Sequence, residues 1–169
     1  MPTTPDERVE VLDIDGRVVG VVSRAEMRRE RLRHRAVFIA VLDATPRLLV
    51  HRRSADKDLW PSRWDIAAGG VVAAGESWAD AAARDLEEEL GIRSELRHLG
   101  GGRHEDDDVK VVAEVFLARH DGPVHFVDGE VAEARWVDPL GLEELLASEV
   151  VCPDSVAIVR PFLKVAGFG

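Results

Sequence analysis

The apolar positions of this chain change their period several times, and each change marks an element. At 36–42 seven apolar residues run without a break (AVFIAVL), which suits a strand covered on both faces. Apolar-rich runs at 9–14 and 17–23 flank Asp15-Gly16, a two-residue hairpin signal, so the chain is expected to open on a β-hairpin. Further strands are expected at 48–52, 64–67, 94–99, 109–119 and 131–137. At 78–90 the period becomes helical. Ala79, Ala82, Leu86 and Leu90 recur at three- and four-residue steps and form a narrow apolar stripe. Ser77 with Asp80 three residues on resembles a capping box, and Gly91 is a natural stop. A short amphipathic helix is expected at 140–147, and a last one capped by Asp154 and ending near 165. Thr45-Pro46, the acidic GGGRHEDDD at 100–108 and Asp121-Gly122-Pro123 read as turns, 53–63 as a polar loop, and 1–8 as a loose tail. No internal repeat or long linker divides the chain, so 1–169 reads as a single domain, and the mixed elements are consistent with an α/β sandwich.

Composition narrows the class. With 46% hydrophobic residues over 169 positions the chain can bury a proper core. No apolar run reaches the roughly 18 residues of a membrane span, and MPTTPDERVE lacks the apolar region of a signal peptide. A single cysteine, Cys152, permits no intrachain disulfide and suits a reducing cytoplasm. The formal net charge of −10 argues against a general nucleic-acid binder. The Arg-rich segment 24–35 is the exception. Its plainer reading is a solvated helix or linker. A phosphate- or RNA-contacting patch is the sharper one, weakened by Glu26 and Glu30. An anionic substrate on so acidic a chain needs local positive charge, from a metal and a few placed Arg or Lys side chains.

The stretch 70–92 carries the chemistry. Asp85, Glu88 and Glu89 stand at i, i+3 and i+4, within a sector of roughly 100°. Like charges there oppose the helix by a few tenths of a kcal/mol per pair. A divalent cation reverses that sign, and Mg²⁺ prefers carboxylate oxygens. An acidic face alone is more often solvated; here the whole pattern decides. It runs Gly70, five residues, Glu76, seven residues, Arg84, Asp85, Leu86, one residue, Glu88, Glu89, one residue, Gly91, Ile92. This closely resembles the signature box of the Nudix hydrolases, with Asp85 where the family has Glu. The resemblance implies a Nudix-type α/β/α sandwich with a mixed sheet and the box as loop–helix–loop. It implies Mg²⁺, with Mn²⁺ as a substitute, held by Asp85, Glu88, Glu89 and the backbone carbonyl of Gly70. Arg84 would orient a carboxylate, and Glu76 is read as structural. The reaction implied is cleavage of a diphosphate bond, in a nucleoside diphosphate linked to another moiety, by metal-activated water.

The segment HRRSADKDLWP, with WPSRWD and the box, resembles a Nudix subgroup that also contains isopentenyl diphosphate isomerase, over roughly 12–137. There an Arg and a Lys at the positions of Arg53 and Lys57 hold the diphosphate. Arg52 would point to the other side of its strand. Isomerase chemistry itself does not carry over. Its catalytic Cys aligns with Gly69, a metal-binding His with Val71, and two acidic residues near Val109 and Val111. Of its metal site only His34 survives, read here as a strand-edge residue. Glu114, or the acidic residues 105–108, could supply a further carboxylate. Trp60, Trp78 and Phe38 could stack on a base, with core packing the plainer role. Asp85 also motivates a rival reading, a catalytically weak Nudix domain that binds a nucleotide or a partner. Oligomeric state is open, a homodimer included.

Overall fold

The structure is a computed structural model that describes residues 6–169. The unbroken apolar run becomes its central strand, β3 (His34–Leu42), buried along almost its whole length. On one edge it runs parallel to β8 (Lys110–Arg119), from His34 opposite Val111 to Leu42 opposite Arg119. On the other it pairs antiparallel with β6 (Ala68–Val71) and meets β4 (Leu48–Arg53) at Leu42 and Leu48. β7 (Arg97–Glu105) continues the sheet beyond β8, and β5 (Trp64–Asp65) and β9 (Val131–Val137) pair with β4. The two-residue period of β3 sorts its side chains between two layers. Val37, Ile39 and Val41 pack with Leu86 and Leu90 of α2 (Trp78–Leu90). Ala36, Phe38 and Ala40 share a core with Leu142 and Leu145 of α3 (Pro139–Ser148) and Ile158 and Leu163 of α4 (Pro153–Leu163). A mixed sheet between helical layers is the expected sandwich. Among the described residues no helix is long and apolar enough to cross a membrane.

The expected N-terminal hairpin is present as a separate ribbon, β1 (Arg8–Leu12) with β2 (Val18–Ser23), followed by α1 (Arg24–Glu30). Val9, Met27 and Val71 bury together and clamp ribbon and α1 onto β6. The connection is longer than two residues. Asp13 Oδ1 accepts the amides of Asp15 and Arg17, both at 2.9 Å, and Gly16 takes a left-handed conformation with φ 83°. The tail is shorter than 1–8. Arg8 opens β1 and the Glu7 carbonyl accepts the Arg24 amide at 2.7 Å, while residues 1–5 lie outside the described residues.

Four further expectations are corrected. The strand expected at 94–99 begins only at Arg97, and it runs on through the supposed turn at 100–108 as far as Glu105, with a bulge between His98 and Gly100. Its glycines serve packing rather than turning. A Cβ on Gly100 would come within 2.7 Å of the Phe162 ring on α4, and one on Gly102 within 3.3 Å of Ile158. The strand expected at 64–67 is two short strands, β5 and β6. Asp154 does not cap α4. Cys152 holds the cap position without a side-chain hydrogen bond, and Asp154 sits in the first turn, its Oδ1 accepting the Ser155 amide at 2.7 Å. Ala79 is exposed and is not part of the buried stripe of α2.

Candidate active site

α2 begins and ends where its sequence says it should. Ser77 Oγ accepts the Asp80 amide at 3.1 Å, and Gly91, at φ 65°, donates its N–H to Glu87. Its buried residues are Ala81, Ala82, Asp85, Leu86, Glu89 and Leu90. Two carboxylates one turn apart thus lie inside the apolar stripe, Asp85 8% exposed and Glu89 4%. Glu88 sits at the rim. Burial pushes Asp85 up to about 7; the Arg84 contact opposes the rise, and Glu88 and Glu76 add to it. Burial likewise pushes Glu89 up to about 8, against Lys57 and with Asp85 and Glu130.

β6 brings its backbone against these acids. The Gly69 amide donates to Glu89 Oε2 at 3.2 Å. Gly69, at φ 152°, has no room for a side chain, since a Cβ there would lie 1.9 Å from the Val37 carbonyl oxygen. A Cβ on Gly70 would lie 3.0 Å from Asp85 Oδ2, a buried oxygen without a hydrogen-bond partner. Arg84 sets the aspartate's direction. Its Nη2 donates to Asp85 Oδ1 at 3.2 Å and to the Val71 carbonyl at 3.3 Å, and its Nη1 donates to Glu76 Oε2. Glu76 is tied in turn to the Ala73 amide at 3.1 Å.

Among the described residues no three acidic, histidine or cysteine side chains already converge as a metal-holding cluster. The donor set nevertheless fits a hard divalent cation. Asp85 Oδ2 is an orphaned buried oxygen, the cradle beside it is open only because residue 70 is glycine, and Glu88 and Glu89 add carboxylate oxygens from the next turn.

Gly69 and Gly70 also wall a cavity of about 50 Å³ that holds both expected phosphate ligands. Arg53 and Lys57 are not on a solvated loop, their side chains being 13% and 7% exposed. Arg53 donates Nε and Nη2 to the Leu59 carbonyl at 3.2 and 2.9 Å, with Nη1 3.5 Å from Asp65. Lys57 Nζ lies 3.0 Å from Glu130 Oε2. Trp60 (φ 47°) and Ser62 (φ 62°) hold the connecting loop in left-handed conformations. Arg52 points away and pairs with Glu133 at 3.3 Å.

The remaining candidates divide. Glu114 Oε2 pairs with His98 Nε2 at 2.6 Å, and Asp106 caps its own turn by accepting the Asp108 and Val109 amides. Trp60 and Phe38 are core residues, and Trp78 lies under the Arg35 guanidinium at 4.9 Å. His34 is no edge residue. It is 1% exposed and lines the cavity, burial lowering it to about 3. Sequence reasoning took Arg24 and Arg28 only as part of the Arg-rich segment 24–35, most plainly solvated, whereas both line the same cavity, and it missed Glu130. The two arginines stand at i, i+4, which was legible. Nothing in the sequence places Glu130, which arrives through the pairing of β4 with β9 and the Ser54 amide on its carbonyl.

A helix thus delivers buried acids behind the glycine wall of a cavity lined by Arg24, Arg28, Arg53 and Lys57 and by Asp65 and Asp154. The NUDIX domain model matches residues 32–151, and the chain belongs to the Nudix hydrolase family, hydrolases of pyrophosphate bonds. It is 41% identical over 159 residues to the uncharacterized Nudix hydrolase PA4841 of Pseudomonas aeruginosa, covering 93% of this chain and 94% of that one. To the uncharacterized Nudix hydrolase YfcD of Escherichia coli K12 it is 36% identical over 160 residues, 94% and 87% of the two chains. The crystal structure of DR0079 from Deinococcus radiodurans superposes with a TM-score of 0.78 at 26% identity, over 92% of this chain and 99% of that one. These likenesses establish family and fold; they do not single out the isomerase-containing subgroup.

Proposed function

We propose that this chain is a Mg²⁺-dependent hydrolase of a diphosphate bond in a nucleoside diphosphate linked to another moiety. One observation carries the reading. Asp85 and Glu89 are buried against Gly69 and Gly70, and the same two glycines wall the cavity of Arg53 and Lys57. A diphosphate needs positive charge on both sets of its oxygens, side-chain cations on one and a metal held by acids on the other.

The metal, Mg²⁺ or Mn²⁺, would be held by Asp85, Glu88, Glu89 and the Gly70 carbonyl, and when bound it supplies charge neutralisation and a water of lowered pKa. Arg84 is a positioning residue, aiming Asp85 at Gly70 and fixed by Glu76. Arg53 and Lys57 hold phosphate oxygens. In the free protein they are kept in place by the Leu59 carbonyl, Asp65 and Glu130, so an arriving phosphate exchanges partners with cations already positioned.

Phosphate release from a panel of nucleoside diphosphate derivatives, with Mg²⁺, Mn²⁺ and an EDTA control, tests the reading. Glu88→Gln and Glu89→Gln are expected to remove activity by about 100-fold or more with the melting curve intact, since each swap deletes only a negative ligand. Mg²⁺ affinity unchanged in both variants, measured by calorimetry, would sink the metal assignment. No metal-dependent release from any compound, with nucleotide binding retained, would favour the silent domain that the short Asp85 side chain suggests.

A further inference from the structure

Arg24 and Arg28 stand one helical turn apart on α1 and turn into the cavity of Arg53 and Lys57. They lie before residue 32, outside the stretch matched by the family model. Their surroundings differ. Arg24 is fully engaged: Nε and Nη2 donate to the two oxygens of Asp58 at 2.8 and 3.3 Å, and Nη1 to Glu7 at 3.3 Å. Arg28 has only what is left of the same carboxylate. Its Nε lies 3.4 Å from Asp58 Oδ2 in a geometry that makes no hydrogen bond, so a buried donor goes unmet. Natural structures rarely leave such a donor without a reason. Burial lowers Arg28 to about 10, Asp58 opposing and Arg24 reinforcing the effect, so it stays charged at neutral pH and shares the Asp58 carboxylate with Arg24.

The cavity that Arg28 lines sets the size of the anion it can take. A single water needs roughly 10–15 Å³ by the measure that puts this cavity at about 50 Å³. There is room for one phosphate-sized group but not for a sugar or a base. Two walls of the cavity, Phe38 and Trp60, are core residues. A phosphate that enters is therefore a terminal one. A monoester phosphate also presents three free oxygens where a bridging phosphate presents two, and a guanidinium fork fits the additional oxygen.

We infer that Arg28 recognises a free terminal phosphate, and that the moiety linked to the nucleoside diphosphate ends in, or is, a phosphate monoester. This rests on reading the Arg53 and Lys57 cavity as the phosphate side of the active site. Arg28 is a specificity residue contributed by the N-terminal α1, and its absence leaves Asp58 still bound by Arg24.

The test is binding by calorimetry in EDTA, with ADP as the free-ended probe, ADP-ribose as the capped one and inorganic pyrophosphate as the smallest. Wild type should bind ADP at least about 10-fold more tightly than ADP-ribose, from the additional charge-assisted contacts. Arg28→Met should lose that preference and most pyrophosphate affinity, and Arg28→Lys should recover part of both. Circular dichroism and melting curves report the fold; if Arg28→Met does not fold, the wild-type preference and Arg28→Lys decide. Equal wild-type affinity for ADP and ADP-ribose, no binding of ADP or pyrophosphate at millimolar concentration, or an equal loss for both nucleotides in Arg28→Met would each overturn the inference. Hydrolysis separates it from the reading above. Arg28-dependent ADP binding without turnover of any compound would fail the hydrolase and keep the inference; efficient turnover of capped compounds alone would do the reverse.

Discussion

At the scale of single residues, Asp85 decides most. It replaces the longer Glu of the family box, and the fixed Cβ direction of a helix means the carboxylate is drawn back by roughly 1.5 Å. The structure shows where it ends up: one oxygen on Arg84, the other unpartnered beside Gly70. Mg²⁺–oxygen distances are strict, near 2.0–2.1 Å, so on the proposed metal site an acid set back this far would reach the cation through a water. Asp85→Glu is then expected to tighten Mg²⁺ binding or raise kcat, and Asp85→Asn to lower both, by as much as about 100-fold in rate. The measurement is kcat against Mg²⁺ concentration for the three proteins. A loss in Asp85→Glu as large as in Asp85→Asn would mean that the Gly70 backbone has already adapted to the shorter acid. The spacing of Asp85, Glu88 and Glu89 was legible in the sequence. That Asp85 and Glu89 are buried while Glu88 sits at the rim was not, because it depends on where β6 crosses the helix.

At the scale of elements, β6 joins fold to chemistry. It pairs with β3 on one edge, from Ala36 opposite Val71 to Ile39 opposite Ala68, and its amide at Gly69 holds Glu89. A methyl at residue 69 collides with the Val37 carbonyl, which is backbone and cannot swing aside. Gly69→Ala is expected to cost at least about 2 kcal/mol in urea denaturation and to lose activity beyond what its stability explains. A variant as stable as wild type would show that the two strands separate easily there. The helix α2 was readable from both ends because cap residues act locally. The strand β7 was not. Its glycines carry turn chemistry in the sequence, and only the approach of Phe162 and Ile158 from α4 shows why a strand should have none of the side chains that strands prefer.

At the scale of the whole molecule, a chain of net charge −10 buries ionisable groups of both signs around one cavity. Burial lowers His34 to about 3 and His51 to about 4, so their contribution to stability is complete above about pH 6.5 and is lost as pH falls toward those values. Asp154 acts in the other sense. Burial, then the nearby Asp65, push it up to about 7, so its contribution is complete below about pH 4 and is lost as pH rises through 7. Asp154→Asn keeps an acceptor for the Ser155 amide and removes the charge. It is expected to stabilise the protein by about 1–3 kcal/mol at pH 8 and by little at pH 4.5. Comparing variant and wild type by urea denaturation at each pH cancels the histidine contribution. A variant no more stable than wild type at pH 8 would show that Asp154 is well solvated or paired when charged.

The sequence by itself determined the central strand, the extent of α2 and the identity of the acidic triplet. Each is written in spacing along a short stretch, where helix and strand periods and cap residues act without help from distant residues. Tertiary structure alone decided that the acids are buried against two glycines, that His34 and Arg28 face inward, and that Glu130 comes to Lys57. Those facts depend on which faces meet when β3 gathers β4, β6 and β8 around it. The Arg-rich segment 24–35 shows the division most sharply. Its helical spacing is visible in the sequence, but whether Arg24 and Arg28 meet water or a cavity is fixed only when Asp58, more than a strand's length away in sequence, folds back to hold them.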